Sequence, residues 1–165
     1  MLTELLAADQ ALLRRLDAAT DHDDKLTAAE RFVDAQLELG QALARDPDLR
    51  WDGAMIDHLY EAAPLIEHNL PFIARHADDT RRILGLPFEH DEWRRVVERR
   101  SAFEFLRELY ADSSAGAGLG AIDLGPVDER LRFVGEREGI GTAIPDGIPT
   151  THWWWWAPGT PPAAD

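Results

Sequence analysis

Residues 91–110, DEWRRVVERRSAFEFLRELY, place Trp93, Val96, Val97, Phe103, Leu106 and Tyr110 at three-, four- and seven-residue separations. That spacing puts them on one stripe of a helix about five turns long, the longest clean period in the chain. It predicts a central helix capped by Asp91 and an all-α fold built around it.

Upstream, Leu2, Leu5, Leu6, Leu12, Leu13 and Leu16 mark a first helix over residues 2–19. Asp21 to Asp24 is a polar break. Thr27 to Glu30 then has the spacing of a capping box, with Phe32, Val33, Leu37, Leu39 and Leu43 as the apolar face of a second helix ending near Ala44. A third pattern (Met55, Ile56, Leu59, Tyr60, Ala63) follows Trp51-Asp52-Gly53, with Asp52 as its cap. Proline suits the first turn of a helix but not its interior, so Pro64 and Pro71 predict short segments that start or kink at each. Gly85-Leu86-Pro87 reads as a helix stop.

Downstream, Ser113 to Gly120 is small and glycine-rich and reads as a loop or hinge; it lacks the lysine of a phosphate-binding loop. Gly125-Pro126 opens a last short helix with Val127, Leu131 and Val134 inward. From Gly139 the helical period stops. The expected architecture is an array or bundle of five to six helices over residues 1–138, with a Gly/Pro/Trp-rich segment, 139–165, packed on it. That segment is irregular or two-stranded, its candidate strands being 141–144 and 151–156 on either side of the turn residues Pro145-Asp146-Gly147.

Thirty-one acids against 17 bases give a formal charge of −14 over 165 residues, which opposes binding to phosphate backbones and removes nucleic acid from the expected partners. With no cysteine there is no disulfide, thiolate ligand or thiol nucleophile. No apolar run approaches the roughly 18 residues of a membrane span, and Met1 to Leu5 lacks the basic start of a signal peptide. A cytoplasmic protein without a membrane contact is expected.

Six histidines lie among many carboxylates, but no Glu has a His three residues later, as carboxylate-bridged di-metal bundles require, and no HExxH occurs. Neither a metal nor another cofactor is expected. On the helical wheel His58 and Glu61 fall away from Met55, Ile56, Leu59 and Tyr60, on a solvated polar face. His76 shares a face with Phe72, Ile73 and Ile83 and reads as half-buried with one backbone hydrogen bond, or as the polar group of a ligand site. Ser101, between Arg100 and Ala102, and Ser113 and Ser114, in the flexible stretch, form no nucleophile elbow, so no catalytic residue is assigned. Arg94, Arg95, Arg99 and Arg100 read as a basic patch on the outer face of the long helix.

His152-Trp153-Trp154-Trp155-Trp156 holds four of the six tryptophans in succession. If extended, alternate rings face opposite sides, one pair packing on the helices and the other free to bind. These five residues and His76 are the candidate ligand- or partner-binding set. The acidity and the Trp run together point to a non-catalytic interaction or regulatory protein, such as an inhibitor, immunity or accessory protein, docking on a basic protein partner. The competing reading is an enzyme or small-ligand binder using a pocket between the helices and the Trp segment, with His76 or His152 as its polar group.

Overall fold

The computed structural model describes residues 1–84, 89–138, 143–157 and 159. Among them there are six α-helices, two short 3-10 turns and no strand. The chain is an all-α array, and among the described residues no helix is long and apolar enough to cross a membrane. The stop signal at Gly85-Leu86-Pro87 and the first half of the candidate strand 141–144 lie outside the described residues.

Helix α1 (Leu2–Ala18) buries Leu6, Asp9, Leu13 and Leu16. Helix α2 (His22–Arg45) begins before the expected capping box, because the Asp21 carboxylate accepts from the amides of Asp23 at 2.9 Å and Asp24 at 3.2 Å. The polar break is thus a cap and an acidic first turn, both favoured at the positive end of the helix dipole. Helix α3 (Gly53–Ile83) is capped by Asp52, as expected, through the amide of Ala54 at 2.8 Å.

Pro64 and Pro71 do not divide α3 into short segments: the helix runs through both. Each proline removes a helical hydrogen bond and costs about 3 kcal/mol or more in a helix interior. Here both lie on the exposed side, and the carbonyls they deprive belong to the exposed residues Tyr60 and Glu67, at the solvent-facing side of the helix. On the other side Met55, His58, Ala62, Ile66, Asn69, Ile73 and His76 form an unbroken buried stripe that holds the helix together. Sheltering the inner face outweighs two local penalties paid at the surface.

Helix α4 (His90–Leu109) is capped at Glu89 rather than Asp91, with the Glu89 amide donating to Glu92 at 3.3 Å. Its predicted stripe is buried throughout. The stretch read as a loop contains a one-turn helix, α5 (Gly116–Gly120), tied to Ala115 by the Leu119 amide at 2.9 Å. Ala115 and Leu119 enter the core, while a side chain at Gly116 would collide with the Ala111 carbonyl and one at Gly118 with Leu70. Those glycines serve close approach, not flexibility. Helix α6 (Gly125–Glu138) buries Val127, Leu131 and Val134 as predicted.

Helix α4 spans two hydrophobic clusters. Its C-terminal half (Ala102, Phe103, Leu106, then Tyr110) joins α1, α2, α3 and α5 in the larger one. Its N-terminal half (Trp93, Val96, Val97) packs with α6, Leu84, Trp154, Trp155 and Ala157 in the second. Gly40 on α2 lies directly against the Phe105 ring, leaving no space for a Cβ. Residues 151–156 are not a strand: Trp153–Trp155 is a 3-10 turn, with the Trp155 amide donating to His152 at 3.1 Å and that of Trp156 to Trp153 at 3.0 Å. An isolated strand would leave its backbone groups unpaired, whereas the turn satisfies them internally. The expected Asp146-Gly147 turn is present, with Gly147 at φ +80° and so close to α2 that a Cβ there would lie only 2.7 Å from the Gln41 carbonyl oxygen.

Candidate functional site

The junction between the two halves of α4 is Arg100-Ser101, and the Trp run is anchored there. Ser101 Oγ receives the indole N–H groups of Trp154 at 2.9 Å and Trp155 at 2.7 Å and lies 3.0 Å from His152 Nδ1. A hydroxyl has two acceptor lone pairs and one hydrogen. Both lone pairs are taken by indoles, so the hydroxyl hydrogen goes to Nδ1, and His152 is neutral with its proton on Nε2. Burial, followed by the charge of Arg100, pulls the His152 pKa down to about 4 against an opposing pull from Glu104.

Ser101 and His152 are both fully enclosed, at 0% exposure. The pair has the composition of a nucleophile and its base but not the availability: Oγ has no free lone pair and no open side. Its role is to fasten the C-terminal turn to α4. His152 also stacks on Trp154, with centroids 4.8 Å apart, and lies 4.7 Å from the Phe105 ring. The Arg100 guanidinium covers Trp154 at 4.1 Å and is held by Asp128 at 2.7 Å and Glu104 at 2.6 Å. Burial disfavours the Arg100 charge, but those carboxylates reverse the effect and raise its pKa.

The expected alternation of tryptophans is therefore overturned. The adjacent residues Trp154 and Trp155 are buried, while Trp153 and Trp156 are half-exposed, because a 3-10 turn advances about 120° per residue rather than 180°. Arg132 lies 4.5 Å over Trp153.

The His152 tautomer has a measurable consequence. Between pH 6.5 and 4 the unfolded chain takes up a proton that folded His152 refuses, so its contribution to stability is complete above pH 6.5 and is lost as pH falls through that window. The expected loss is about 3 kcal/mol. Urea unfolding at pH 7, 5.5 and 4 checks this against His152→Asn, whose side chain does not titrate. The variant should show a shallower decline; parallel declines would remove His152 as the cause.

A second buried polar group links three helices. Asp9 accepts from the Gln36 side-chain amide and lies 2.9 Å from His58 Nε2, which is 3.3 Å from the Tyr110 hydroxyl. All four are buried, so His58 is not on a solvated face. The expected wheel was turned by Ile56 and Tyr60, which are exposed. Burial, and secondarily the Asp9 charge, push the Tyr110 pKa well above its usual value. A sequence signal for this cluster exists: Asp9 and Gln36 each occupy an inward position in an otherwise apolar stripe, and His58 stands one turn after Met55 and one before Ala62 on the buried side of α3.

His76 is 5% exposed and faces the Asp34 carboxylate at 3.3 Å rather than a backbone group. Arg99 binds the same carboxylate at 3.3 Å and also pairs with Glu30, and burial lowers the Arg99 pKa. The outer basic patch is thereby dissolved. Arg99 and Arg100 turn inward to carboxylates on different sides of α4, and exposed Arg94 pairs with Glu98 at 2.8 Å. Among the described residues, no group of three or more His, Asp or Glu is arranged to hold a metal ion.

The structure gathers exposed apolar surface elsewhere. Ile56, Leu59, Tyr60, Ala63 and Pro64 of α3 face Leu109 and the turn Asp112-Ser113-Ser114 across an open, mainly apolar cleft of about 630 Å³. Tyr60 is 84% exposed and Ile56 50%; Trp51, at the end of the 3-10 turn Pro47–Trp51 leading into α3, is 80% exposed. No protein-family model, curated protein or solved structure matches the chain.

Proposed function

We propose that this is a non-catalytic interaction protein that docks on a basic protein partner, and that its contact face is the α3 cleft with Trp51 at its end. The observation that carries this reading is the inverted placement of aromatic residues: Trp154 and Trp155 are enclosed, while Trp51 and Tyr60 project into solvent from one end of α3. Large aromatics at a surface are costly to leave wet and supply much of the energy at protein interfaces. The Ser101 hydroxyl and the Asp9 and Asp34 carboxylates are each engaged by internal partners, which supports it by another route, while His152 Nε2, Gln36 Oε1 and Arg99 Nε beside them are buried without a hydrogen bond. Of the Trp run, only the outer edges of Trp153 and Trp156 are left for a secondary contact, and His76 and His152 take structural roles. The charge of −14 favours a basic partner through faster encounter and rejection of acidic competitors.

Affinity purification from native cells tests the reading with three forms of the chain. A partner retained by wild type should drop at least about tenfold with Trp51→Ala/Tyr60→Ala, as expected when exposed aromatics carry binding energy. It should persist with Phe133→Ala, which removes an exposed aromatic from α6. Equal recovery with all three forms, or no retained partner, overturns the reading. A small apolar ligand is the second reading, favoured by the volume of the cleft. A non-protein mass retained in native mass spectrometry and lost in Tyr60→Ala would establish it.

A further inference from the structure

Resting on that reading, we infer that the docking element is an amphipathic helix of the partner, with one apolar stripe flanked by Lys or Arg, seated lengthwise in the α3 cleft. The cleft wall is itself helical: Ile56, Leu59, Tyr60, Ala63 and Pro64 recur at helical spacing over about 12 Å, the length of two turns. Such a wall accepts a partner with apolar residues at the same spacing, the helix-in-groove mode. Ala63 among the lining residues has a side chain of one methyl, which leaves space for the backbone of an incoming helix. Addition of a strand is disfavoured because the described residues present no sheet edge to extend.

Charge decides the character of the flanks. Asp57 and Glu61 lie on the same side of α3 as Pro64, at four- and three-residue steps, and both are exposed. The opposite wall carries Asp112, with exposed Glu108 one residue before Leu109. Arg14 pairs with Glu61 at 3.9 Å and Arg50 lies in the field of Glu108, which leaves Asp57 on one flank and Asp112 on the other as the acids that face an incoming chain. An incoming helix therefore meets acids on both flanks. A second copy of this chain, also at −14, is repelled. Pro64, which lines the cleft, has no amide hydrogen, so the Tyr60 carbonyl lacks its usual helical donor.

Fluorescence anisotropy with three dye-labelled synthetic peptides of about 18 residues tests the inference at ~0.15 M salt. The first has a leucine stripe flanked by Lys and Arg, the second the same composition scrambled, and the third the same stripe flanked by Glu. The first should saturate at one per chain and bind at least about tenfold more tightly than the other two. Ile56→Asp and Tyr60→Ala, both at exposed positions, should remove that preference, and Asp57→Asn/Asp112→Asn should flatten its salt dependence. Equal binding of the scrambled peptide would mean charge alone, and equal binding of the Glu-flanked peptide would remove the acidic flanks; either overturns the inference, as does dimerisation of the chain through this face in sedimentation. If the native partner is lost with Trp51→Ala/Tyr60→Ala while no helical peptide is preferred, the helix is wrong and the interaction reading stands.

Discussion

Ser101→Ala lowers the unfolding free energy by at least ~3 kcal/mol, from the deletion of a single oxygen, because each buried polar group left without a partner costs about 1–3 kcal/mol. Three groups lose theirs together: the indole N–H of Trp154, that of Trp155, and Nδ1 of His152. None of the three residues has more than 2% exposure, so water reaches them only if the C-terminal turn lifts from α4. The loss is thus also expected as a change in tryptophan fluorescence ahead of global unfolding. Urea titration of Ser101→Ala beside Ser114→Ala, an exposed serine of the turn after α4, makes the comparison. A loss below ~1 kcal/mol at Ser101 would mean that the Trp run is held by apolar packing alone.

Trp93→Ala should cost about 3–5 kcal/mol, the range for an aromatic removed from a core. Trp93 is 1% exposed and belongs to the cluster that joins α4, α6 and the C-terminal turn. The α6 backbone leaves it little room to be replaced by collapse: a Cβ at Gly135 would already lie 3.3 Å from the Trp93 ring and 3.2 Å from Ala157. The void therefore persists, and it loosens the turn as well as the helices. Thermal and urea unfolding measure the effect, and a loss under ~1 kcal/mol would place Trp93 outside this core.

The long α4 stripe was legible because six apolar residues at helical spacing leave one way to bury them. The α3 stripe misled for the opposite reason. Ile56 and Tyr60 satisfy the same spacing, yet burying apolar residues is a tendency that tolerates exposed exceptions. The inward face instead carries His58, Asn69 and His76, each with a polar partner supplied by another helix: Asp9 and Asp17 on α1, and Asp34 on α2. Likewise, the arginines of α4 looked like an outer patch because only intrahelical neighbours are visible in sequence. Asp128, 28 residues away, and Glu30, 69 away, turned Arg100 and Arg99 inward.

What the sequence determined by itself was local or compositional. Helical period specifies α1, α4 and α6, the Asp52 cap needs only an amide two residues on, Asp146-Gly147 makes its own turn, and charge and residue content need no coordinates. These features rest on contacts within a few residues, whose energies do not depend on the rest of the fold. The tertiary structure decided which polar residues are inside, whether two prolines break a helix, and how four tryptophans are arranged. The partners of Asp9 lie 27 and 49 residues away and those of Ser101 51 to 54 away, so burial of each group is tolerable only once distant helices have brought its hydrogen-bond partner.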